Sequence, residues 1–421
     1  MDKKQLLKEK ENLLKQYDNF KESNIKLDLS RGKPGNDQLK ISEQMLDSLN
    51  ASSEYMSENG FDCRNYGLIE GLPKMRRIFG KILGVDENNV IIGGNSSLSM
   101  MFDTISSFMT NGVNGLTPWF KQDKIKFLCP VPGYDRHFSI LEYFGIEMVC
   151  VNMTPDGPDM DTVENLVNND SQIKGIWCVP KYSNPQGITY SDEVVKRFAK
   201  LTPKAKDFRI FWDNAYAIHD ITDTPDKLLN IAEECKKYGN EDIVLQFCST
   251  SKVTFPGSGV SCIAASENNL NYIKKRLFVQ TIGYDKLNQL RHILFFRDYE
   301  GVLKHMEKHK SILKPKFDIV LNSLNYEFSD NKIVSWLEPN GGYFVSIDVL
   351  PGCAKKVVEL CKEANVVLTP AGSTYPYKSD PNDSNIRIAP TYPPINELKI
   401  AMDILCVSIK LVTIEKLLQQ N

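Results

Sequence analysis

The sequence lacks several features that would place it in a specialised class of protein. None of its apolar runs reaches the length of about 20 residues that a membrane-spanning helix needs. Its first ten residues are rich in charge and contain no apolar core like that of a signal peptide. The formal net charge is only −2, so no excess of one sign attracts nucleic acid or an anionic membrane. We therefore expect a cytoplasmic protein that binds neither nucleic acid nor membrane.

The sequence also lacks closely spaced cysteines. Its ten cysteines are scattered singly without a C-x-x-C pair, and several of them, such as Cys129, Cys178 and Cys262, stand in apolar runs. Zinc sites and disulfide-rich scaffolds need paired or clustered cysteines. The pattern therefore predicts reduced, buried thiols and no metal site.

The composition is that of an ordinary globular protein, 42% hydrophobic and 25% charged. The length of 421 residues is enough for two domains. The pattern predicts helices over 2–22, 39–60 and 298–325. From residue 125 onward, apolar strands alternate with helical stretches, which indicates a mostly parallel sheet covered on both faces. After about residue 310 the pattern changes to that of a smaller α+β domain. In a parallel sheet, ligands bind beyond the carboxyl ends of the strands.

One lysine is unusual in its setting. Lys252 follows the apolar strand 243–248 and precedes a glycine-rich bend. Burial lowers the pKa of a lysine, and a neutral amine attacks aldehydes, which is how lysines hold pyridoxal phosphate. The hydroxyls of Ser249 and Ser251 stand beside the same point and suit a phosphate. An ordinary loop lysine beside a helix-capping serine is the alternative.

A second stretch predicts an anion site. The strand 89–92 ends in Gly93 and Gly94, and Asn95, Ser96 and Ser97 then lead into a helix. Free N–H groups and the helix dipole favour a phosphate there, although simple helix capping would give the same pattern.

Other strand ends supply the remaining groups that pyridoxal phosphate requires. Asp213 can face the pyridine nitrogen, and Tyr134 can stack on the ring. Tyr216 and Asn184 are candidates for holding the 3′-oxygen. Arg387, inside a short strand, can grip the α-carboxylate of a substrate with two hydrogen bonds. Each residue also has a plainer interpretation, as a helix cap, a core aromatic or a surface ion pair.

Taken together, these segments resemble the fold-type-I pyridoxal-phosphate aminotransferases over nearly the whole chain. The resemblance rests on Tyr66–Leu72, Gly94–Ser97, Pro132–Tyr134, Ser183–Gly187, Asp213–Tyr216, Ser249–Lys252, Gly341–Phe344 and Ile386–Ile388. Within that group the chain looks most like subgroup Ic of the aspartate aminotransferases, through Ser30–Pro34, Pro130–His137 and Asp285–His292.

The resemblance implies an α/β fold with a mostly parallel seven-stranded sheet flanked by helices, plus a smaller α+β domain. We expect an N-terminal arm that joins the small domain over 1–45, a large cofactor-binding domain over 46–311 and a small C-terminal domain over 312–421. The resemblance also implies a homodimer in which Tyr66 reaches the cofactor phosphate of the partner. One departure concerns that phosphate: many relatives carry an arginine seven residues after the lysine, where this chain has Gly259.

The expected reaction is transfer of an amino group from an amino acid, most simply aspartate, to a 2-oxo acid such as 2-oxoglutarate. A dicarboxylate needs a second cation, because an unpaired buried carboxylate is costly. The candidates are Arg31 or Lys33, beside Gly32 in an early loop that could bring its backbone to a ligand, and Lys286 or Arg291. An aromatic substrate, a lyase or decarboxylase reaction, and a ligand-sensing regulator are the alternatives. A regulator would need a DNA-binding helix-turn-helix, for which the sequence gives no signal.

Overall fold

The computed structural model describes residues 3–22, 26–330 and 332–420, in which helices and strands alternate along most of the chain. The helices are α1 Lys3–Glu22, α2 Asn36–Lys40, α3 Pro73–Leu83, α4 Ser97–Asn111, α5 Asp135–Tyr143, α6 Met160–Asn169, α7 Asp192–Ala199, α8 Ile231–Lys237, α9 Glu267–Gln280, α10 Lys286–Phe296, α11 Tyr299–Phe328, α12 Ala354–Glu363 and α13 Ile395–Gln420. The strands are β1 Leu27–Asp28, β2 Val90–Ile92, β3 Lys126–Val131, β4 Glu147–Thr154, β5 Gly157–Pro158, β6 Ile173–Cys178, β7 Arg209–Asp213, β8 Val244–Ser249, β9 Ser261–Ala265, β10 Val334–Trp336, β11 Val345–Val349, β12 Val366–Val367 and β13 Asn385–Ile388.

The large sheet has eight strands in the order β2-β9-β8-β7-β6-β3-β4-β5. Strands β4, β3, β6, β7 and β8 run parallel, whereas β9 is antiparallel to both of its neighbours. This confirms the predicted mostly parallel sheet. Its strand number differs from the expected seven, because the two-residue strand β5 pairs antiparallel to β4 at one edge. A Gly–Pro dipeptide carries no strand pattern, and proline is tolerated at an edge where no ladder donor is needed.

The central strands are apolar because both of their faces are covered. All five residues of β7 are buried, and all six of β6 are buried. Successive side chains point to opposite faces, so Phe211 packs into one core layer and Ile210 and Trp212 into the other. This two-sided burial explains why the strands read as continuous apolar runs in the sequence.

A second unit is built on a three-stranded antiparallel sheet, β10-β11-β13, and on the parallel pair β1-β12. The helices α1, α11, α12 and α13 pack with these strands around one apolar core. Helix α1 joins this core through Leu6, Leu13 and Tyr17, as the predicted amphipathic helix requires; its predicted first residue lies outside the described residues. The predicted limit between residues 311 and 312 falls inside helix α11, which is continuous there. The domain limits at 45 and 311 stay predictions.

The helix predicted over 39–60 is wrong. Helix α2 ends at Lys40, a 3-10 turn covers Glu43–Ser48, and turns follow. The side chain of Asn50 accepts hydrogen bonds from the N–H and hydroxyl of Ser52, and Ser53 Oγ accepts from the N–H of Asn50. Such local bonds offer the backbone an alternative to a helix.

Within the described ranges, no helix combines the length and apolar character needed to cross a membrane. The ten cysteines, all of them inside those ranges, form no disulfide, and nine of them are buried. Burial raises the pKa of several of these thiols, Cys248 among them to about 12, so they stay protonated.

Candidate active site

A cavity of about 770 Å³ lies where the parallel strands of the large sheet end and the second unit begins. This is the location expected for a ligand site in a sheet of this kind. Most of the residues predicted from the sequence line it: Arg31, Gly32, Ser96, Ser97, Tyr134, Asn184, Asp213, Tyr216, Ser249, Ser251, Lys252 and Arg387.

Five of the predicted residues do not line the cavity of this chain: Lys33, Asn95, Tyr66, Lys286 and Arg291. The Nζ of Lys33 lies 3.9 Å from the ring centre of Tyr392 instead. Asn95 is exposed, and its carbonyl accepts a hydrogen bond from Ser251 Oγ at 3.0 Å. Tyr66 is 77% exposed on the outer surface. Lys286 lies near Tyr66, and its Nζ donates to the carbonyl of Tyr284 at 3.3 Å.

Lys252 stands in the turn that joins β8 to β9, at the floor of the cavity. Its Nζ is 4.9 Å from the ring centre of Tyr216 and 5.8 Å from that of Tyr343. Burial lowers the pKa of Lys252, and the nearby carboxylate of Asp213 partly opposes this effect. The amine is therefore more available as a neutral nucleophile or base than an exposed lysine would be.

Asp213 is the last residue of β7 and is only 2% exposed. Its Oδ2 lies 3.0 Å from Nε2 of His137, whose ring stacks on Trp177 with 4.3 Å between centres. Among the described residues, Oδ1 of Asp213 has no hydrogen-bond partner although it is buried. A buried carboxylate oxygen needs a donor, so this atom is suited to a protonated nitrogen of a bound group.

Four serines form a cup for an anion at one end of the cavity. Ser96 and Ser97 start the 15-residue helix α4, and the Ser96 side chain makes no capping bond there. Ser249 Oγ donates to Ser251 Oγ at 3.1 Å on the opposite wall. Hydroxyls, free N–H groups and the helix dipole all favour a phosphate at this place.

Gly259 explains why this cup has no arginine at that position. A Cβ at Gly259 would lie 3.1 Å from the carbonyl oxygen of Asn95 and 3.2 Å from the N atom of Ser251. Both neighbours are backbone atoms, which cannot rotate away as a flexible side chain can. The anion cup is therefore built from neutral donors, and a side chain at position 259 would require the surrounding backbone to shift by a few tenths of an ångström.

Arg387 lies on β13 with its guanidinium over the ring of Phe344, 4.7 Å from the ring centre. Its Nη1 donates to Asp135 Oδ1 at 3.1 Å and to Asn184 Oδ1 at 3.2 Å, and its Nη2 donates to Thr369 Oγ1 at 3.1 Å. Nε is buried without a partner among the described residues. These three hydrogen bonds use three of the five N–H groups of the guanidinium, so two N–H groups remain free. Two is the number of hydrogen bonds that one carboxylate accepts in a bidentate pair.

Sequence reasoning did not assign several residues that complete the site. His137, Asp135 and Arg136 belong to helix α5, directly after Tyr134, and they were part of a recognised motif without a role of their own. Thr369 comes from a distant segment, and only the folded chain brings it to Arg387. Phe344 belongs to the recognised segment Gly341–Phe344 and was a candidate pocket wall for an aromatic substrate, but its contact with Arg387 was not predicted. Phe344 also closes over Gly32, where a Cβ would lie 2.2 Å from the Phe344 ring.

An amine, an open carboxylate oxygen, an anion cup and a free guanidinium fork thus share one cavity. This set fits a cofactor that carries an aldehyde, a basic ring nitrogen and a phosphate, together with a substrate that carries a carboxylate. Within the described ranges, no group of three or more metal-ligating side chains comes together.

Comparison with known proteins gives one consistent result. The profile of the family described as aspartate amino-transferase matches residues 1–421. An aspartate aminotransferase of Corynebacterium glutamicum is 44% identical over 394 residues, which cover 93% of this chain and 91% of the relative. The crystal structure of an aspartate transaminase from the same species superimposes with a TM-score of 0.96 at 43% identity, covering 99% of this chain and 98% of that one. The fold alone is also shared with LysN, an α-aminoadipate aminotransferase of Thermus thermophilus, at a TM-score of 0.75 and 18% identity. The chain is an aminotransferase and belongs to the aspartate amino-transferase family.

Proposed function

We propose that the protein is a pyridoxal-phosphate-dependent aminotransferase that moves the amino group of aspartate to a 2-oxo acid such as 2-oxoglutarate. The observation that carries the cofactor assignment is the unpartnered, buried Oδ1 of Asp213 in the same cavity as Lys252. The structure of LysN was solved with N-(5′-phosphopyridoxyl)-L-leucine, which supports the same cofactor for this fold.

Pyridoxal phosphate supplies an aldehyde that condenses with amines and a ring that withdraws electrons from the substrate Cα. In this chain Asp213 would hold the ring nitrogen protonated, and His137 fixes the orientation of that carboxylate. Tyr134 would stack on the ring, while Tyr216 and Asn184 would hold the 3′-oxygen. The four serines of the cup would bind the phosphate. Burial raises the pKa of Tyr216 well above its usual value, so its hydroxyl stays neutral and can donate.

Lys252 has two tasks in this proposal. Its Nζ would hold the cofactor aldehyde until a substrate amine displaces it. Once free, the same amine would act as the general base that takes the proton of the substrate Cα and as the acid that gives it back. Its lowered pKa supports both tasks, because a fully protonated lysine could accept no proton.

Arg387 would bind the α-carboxylate through the two donors that its protein partners leave free. The carboxylate of Asp135 already neutralises part of the guanidinium charge, at 3.1 Å from Nη1. The contacts to Asn184 and Thr369 fix the plane of the guanidinium, so little side-chain entropy is lost when the substrate binds.

The distal carboxylate of aspartate needs another cation, and the cavity offers three: Arg31, Arg136 and Lys362. None of the three forms an ion pair with the part of the chain that the structure describes. Arg136 is one residue away from Asp135, the partner of Arg387, so it lies on the same side of the cavity as the α-carboxylate site. We assign the distal carboxylate to Arg136 and Arg31, with the predicted Lys286 as a contribution from a second subunit.

A second copy of the chain is the proposed partner. Tyr66, Phe278, Val279 and Ile282 are 77%, 72%, 90% and 61% exposed. The segments that carry Tyr66 and Ile282 meet, because a Cβ on Gly283 would lie 2.5 Å from the carbonyl oxygen of Gly67. Exposed apolar side chains brought together in this way are typical of a subunit interface. Lys286 is near the same contact, since its Nζ would lie 3.1 Å from that Cβ. Tyr66 and Lys286 lie outside their own cavity, which favours a contribution to the cavity of the partner.

The cofactor and the reaction type are tested together. The protein is incubated with pyridoxal phosphate, reduced with borohydride and digested, and the modified lysine is identified by mass spectrometry. We expect modification of Lys252, and turnover of aspartate only when a 2-oxo acid is present. Turnover without an acceptor would instead indicate a lyase or a decarboxylase.

The substrate is tested with four amino acids: aspartate, glutamate, alanine and phenylalanine. We expect the highest kcat/KM with aspartate. Loss of one charged contact to the distal carboxylate costs about 1.5–3 kcal/mol, so Arg136→Ala and Arg31→Ala should each lower kcat/KM for aspartate by roughly 10- to 100-fold and leave alanine nearly unchanged. Lys286→Ala shows the contribution of the second subunit. A wild-type preference for phenylalanine, or equal losses for aspartate and alanine in the variants, would contradict the assignment.

A further inference from the structure

A buried polar network lies directly beneath Lys252, and the chemistry proposed above makes no use of it. It joins the turn that carries Lys252 to helix α2, to α11 and to the segment just before β11. Its members are 4% exposed or less: Gln38, Val253, His305, His309 and Tyr343. Such a network is stable only when every donor finds an acceptor, so its hydrogen-bond directions can be worked out.

The carbonyl oxygen of Val253 fixes the first directions. His305 Nε2 and His309 Nε2 both lie 2.9 Å from it. A carbonyl only accepts, so both histidines carry a proton on Nε2 and both donate. Burial lowers the pKa of each to about 4, so both are neutral at pH 7 and their Nδ1 atoms are acceptors.

The orientation of the Gln38 amide follows from this assignment. His309 Nδ1 accepts a hydrogen bond from Gln38 Nε2 at 3.1 Å. The same Nε2 donates its second proton to the hydroxyl oxygen of Tyr343 at 2.9 Å. On the other side of the amide, Gln38 Oε1 accepts from the N–H of Gly35 at 3.1 Å. Both protons of the Gln38 amide nitrogen are therefore used, and no flipped amide would satisfy these partners.

The network has two ends, and both reach the cavity. The hydroxyl of Tyr343, which accepts a hydrogen bond from Gln38, donates a hydrogen bond to the carbonyl oxygen of Lys252 at 3.3 Å. Gly35, which donates to Gln38, ends the short loop that begins with Arg31 and Gly32 on the cavity wall. Gln38 is thus the joint between the backbone of the reacting lysine and the N-terminal wall of the substrate site.

We propose that Gln38 is a positioning residue that couples the N-terminal wall of the cavity to Lys252 through Tyr343. Without its amide, the hydrogen-bonded connection between the wall that carries Arg31 and the turn that carries Lys252 would be lost, and only packing contacts such as that of Phe344 on Gly32 would join them. The inference rests on the proposed function, because Lys252 must be the reacting amine for its position to affect turnover.

The coupling can be measured without turnover, by amide hydrogen exchange followed by mass spectrometry. Gln38→Leu keeps the side chain close in size and removes all three hydrogen bonds of the amide. We expect its exchange to become at least tenfold faster both in 30–35 and in 250–254. Tyr343→Phe leaves the bond between Gly35 and Gln38 intact, so its exchange should rise in 250–254 only. If Gln38→Leu speeds exchange only around helix α2, the proposal is wrong.

Kinetics supply the second readout. We expect Gln38→Leu to lower kcat for aspartate about tenfold and to raise KM, whereas Tyr343→Phe should lower kcat with little change in KM. Because both residues act along one path, the double variant should lose no more kcat than the worse single variant. Additive losses would overturn the proposal. If Gln38→Leu does not fold, the position-specific pattern in Tyr343→Phe still decides the question.

Asn240→Leu is the matched control. It removes two part-buried hydrogen bonds of the Asn240 side chain, to the carbonyls of Ala199 at 2.9 Å and Leu201 at 2.8 Å. Asn240 precedes β8, at the end of the strand opposite to Lys252, so its loss should leave exchange in 250–254 and kcat unchanged. An equal effect in the control would mean that general loosening explains the results. Absence of aspartate turnover in the wild type would instead refute the proposed function. The exchange pattern would still show whether Gln38 couples the cavity wall to the turn that carries Lys252.

Discussion

The buried histidines predict how the stability of the protein depends on pH. Burial lowers the folded-state pKa of His292, His305 and His309 from 6.5 to about 4. Between these values the unfolded chain binds protons that the folded chain does not. Their contribution to stability is therefore present in full above pH 6.5 and is lost as the pH falls toward 4.

The magnitude follows from the two pKa values of each residue. Between pH 7 and pH 5 a histidine shifted in this way reduces the free energy of unfolding by about 2 kcal/mol. The three together give a loss of about 5 kcal/mol. His219, whose pKa burial also lowers well below 6.5, adds to this loss. The total is a large part of the 5–15 kcal/mol that stabilises a typical protein. The carboxylates with lowered pKa values, such as Asp62 at about 2, lose their contribution only in stronger acid.

The assay is urea unfolding of the cofactor-free protein at several pH values in this window and at one protein concentration, since a dimer makes the midpoint concentration-dependent. His305→Gln is the diagnostic variant, because its amide N–H can still donate to the Val253 carbonyl but cannot take up a proton in this range. It should reduce the pH dependence by about one quarter, because His305 is one of four buried histidines whose pKa burial lowers, His219 being the fourth. A wild-type free energy that stays level from pH 7 to pH 5, or a variant with an unchanged slope, would refute the reasoning.

Two further substitutions address the cavity itself. Asp213→Asn should leave the fold intact and lower turnover more than tenfold, because the amide cannot hold a ring nitrogen protonated. This corresponds to an increase of more than about 1.4 kcal/mol in the activation barrier. Turnover is followed by single-turnover absorbance, and a smaller decrease would mean that another carboxylate has this role. Arg387→Lys should raise KM for every amino acid about tenfold or more, because a point charge replaces a guanidinium that donates two hydrogen bonds to one carboxylate. If the wild type binds amino acids and the corresponding decarboxylated amines with equal affinity, Arg387 does not bind the α-carboxylate.

Much of the cavity could be predicted because parallel strands place their carboxyl ends on one edge. Asp213 and Lys252 are far apart in sequence, but each follows an apolar run, and that local pattern is enough to bring them together. The partners of Arg387 could not be predicted in this way. Thr369 stands in a segment whose local pattern says nothing about a shared ligand, and tertiary packing alone joins it and Phe344 to the guanidinium.

The errors in secondary structure have a similar origin. The segment 39–60 has apolar residues at helical intervals, but the side chains of Asn50 and Ser53 compete for the backbone. Strand β5 was missed because pairing with β4, and not its own sequence, makes it a strand. Gln38 gave no signal either, since a buried amide in a short helix is recognised only when its partners are known.

The close packing at Gly259 restricts how this protein could have diverged from relatives that have an arginine there. One base change in the codon could introduce the arginine, but its Cβ would meet the backbone of Asn95 and Ser251. An arginine at position 259 would therefore require the backbone near Asn95 and Ser251 to move by a few tenths of an ångström. A change of glycine to arginine there should accordingly be accompanied by other substitutions in the segments that carry Asn95 and Ser251.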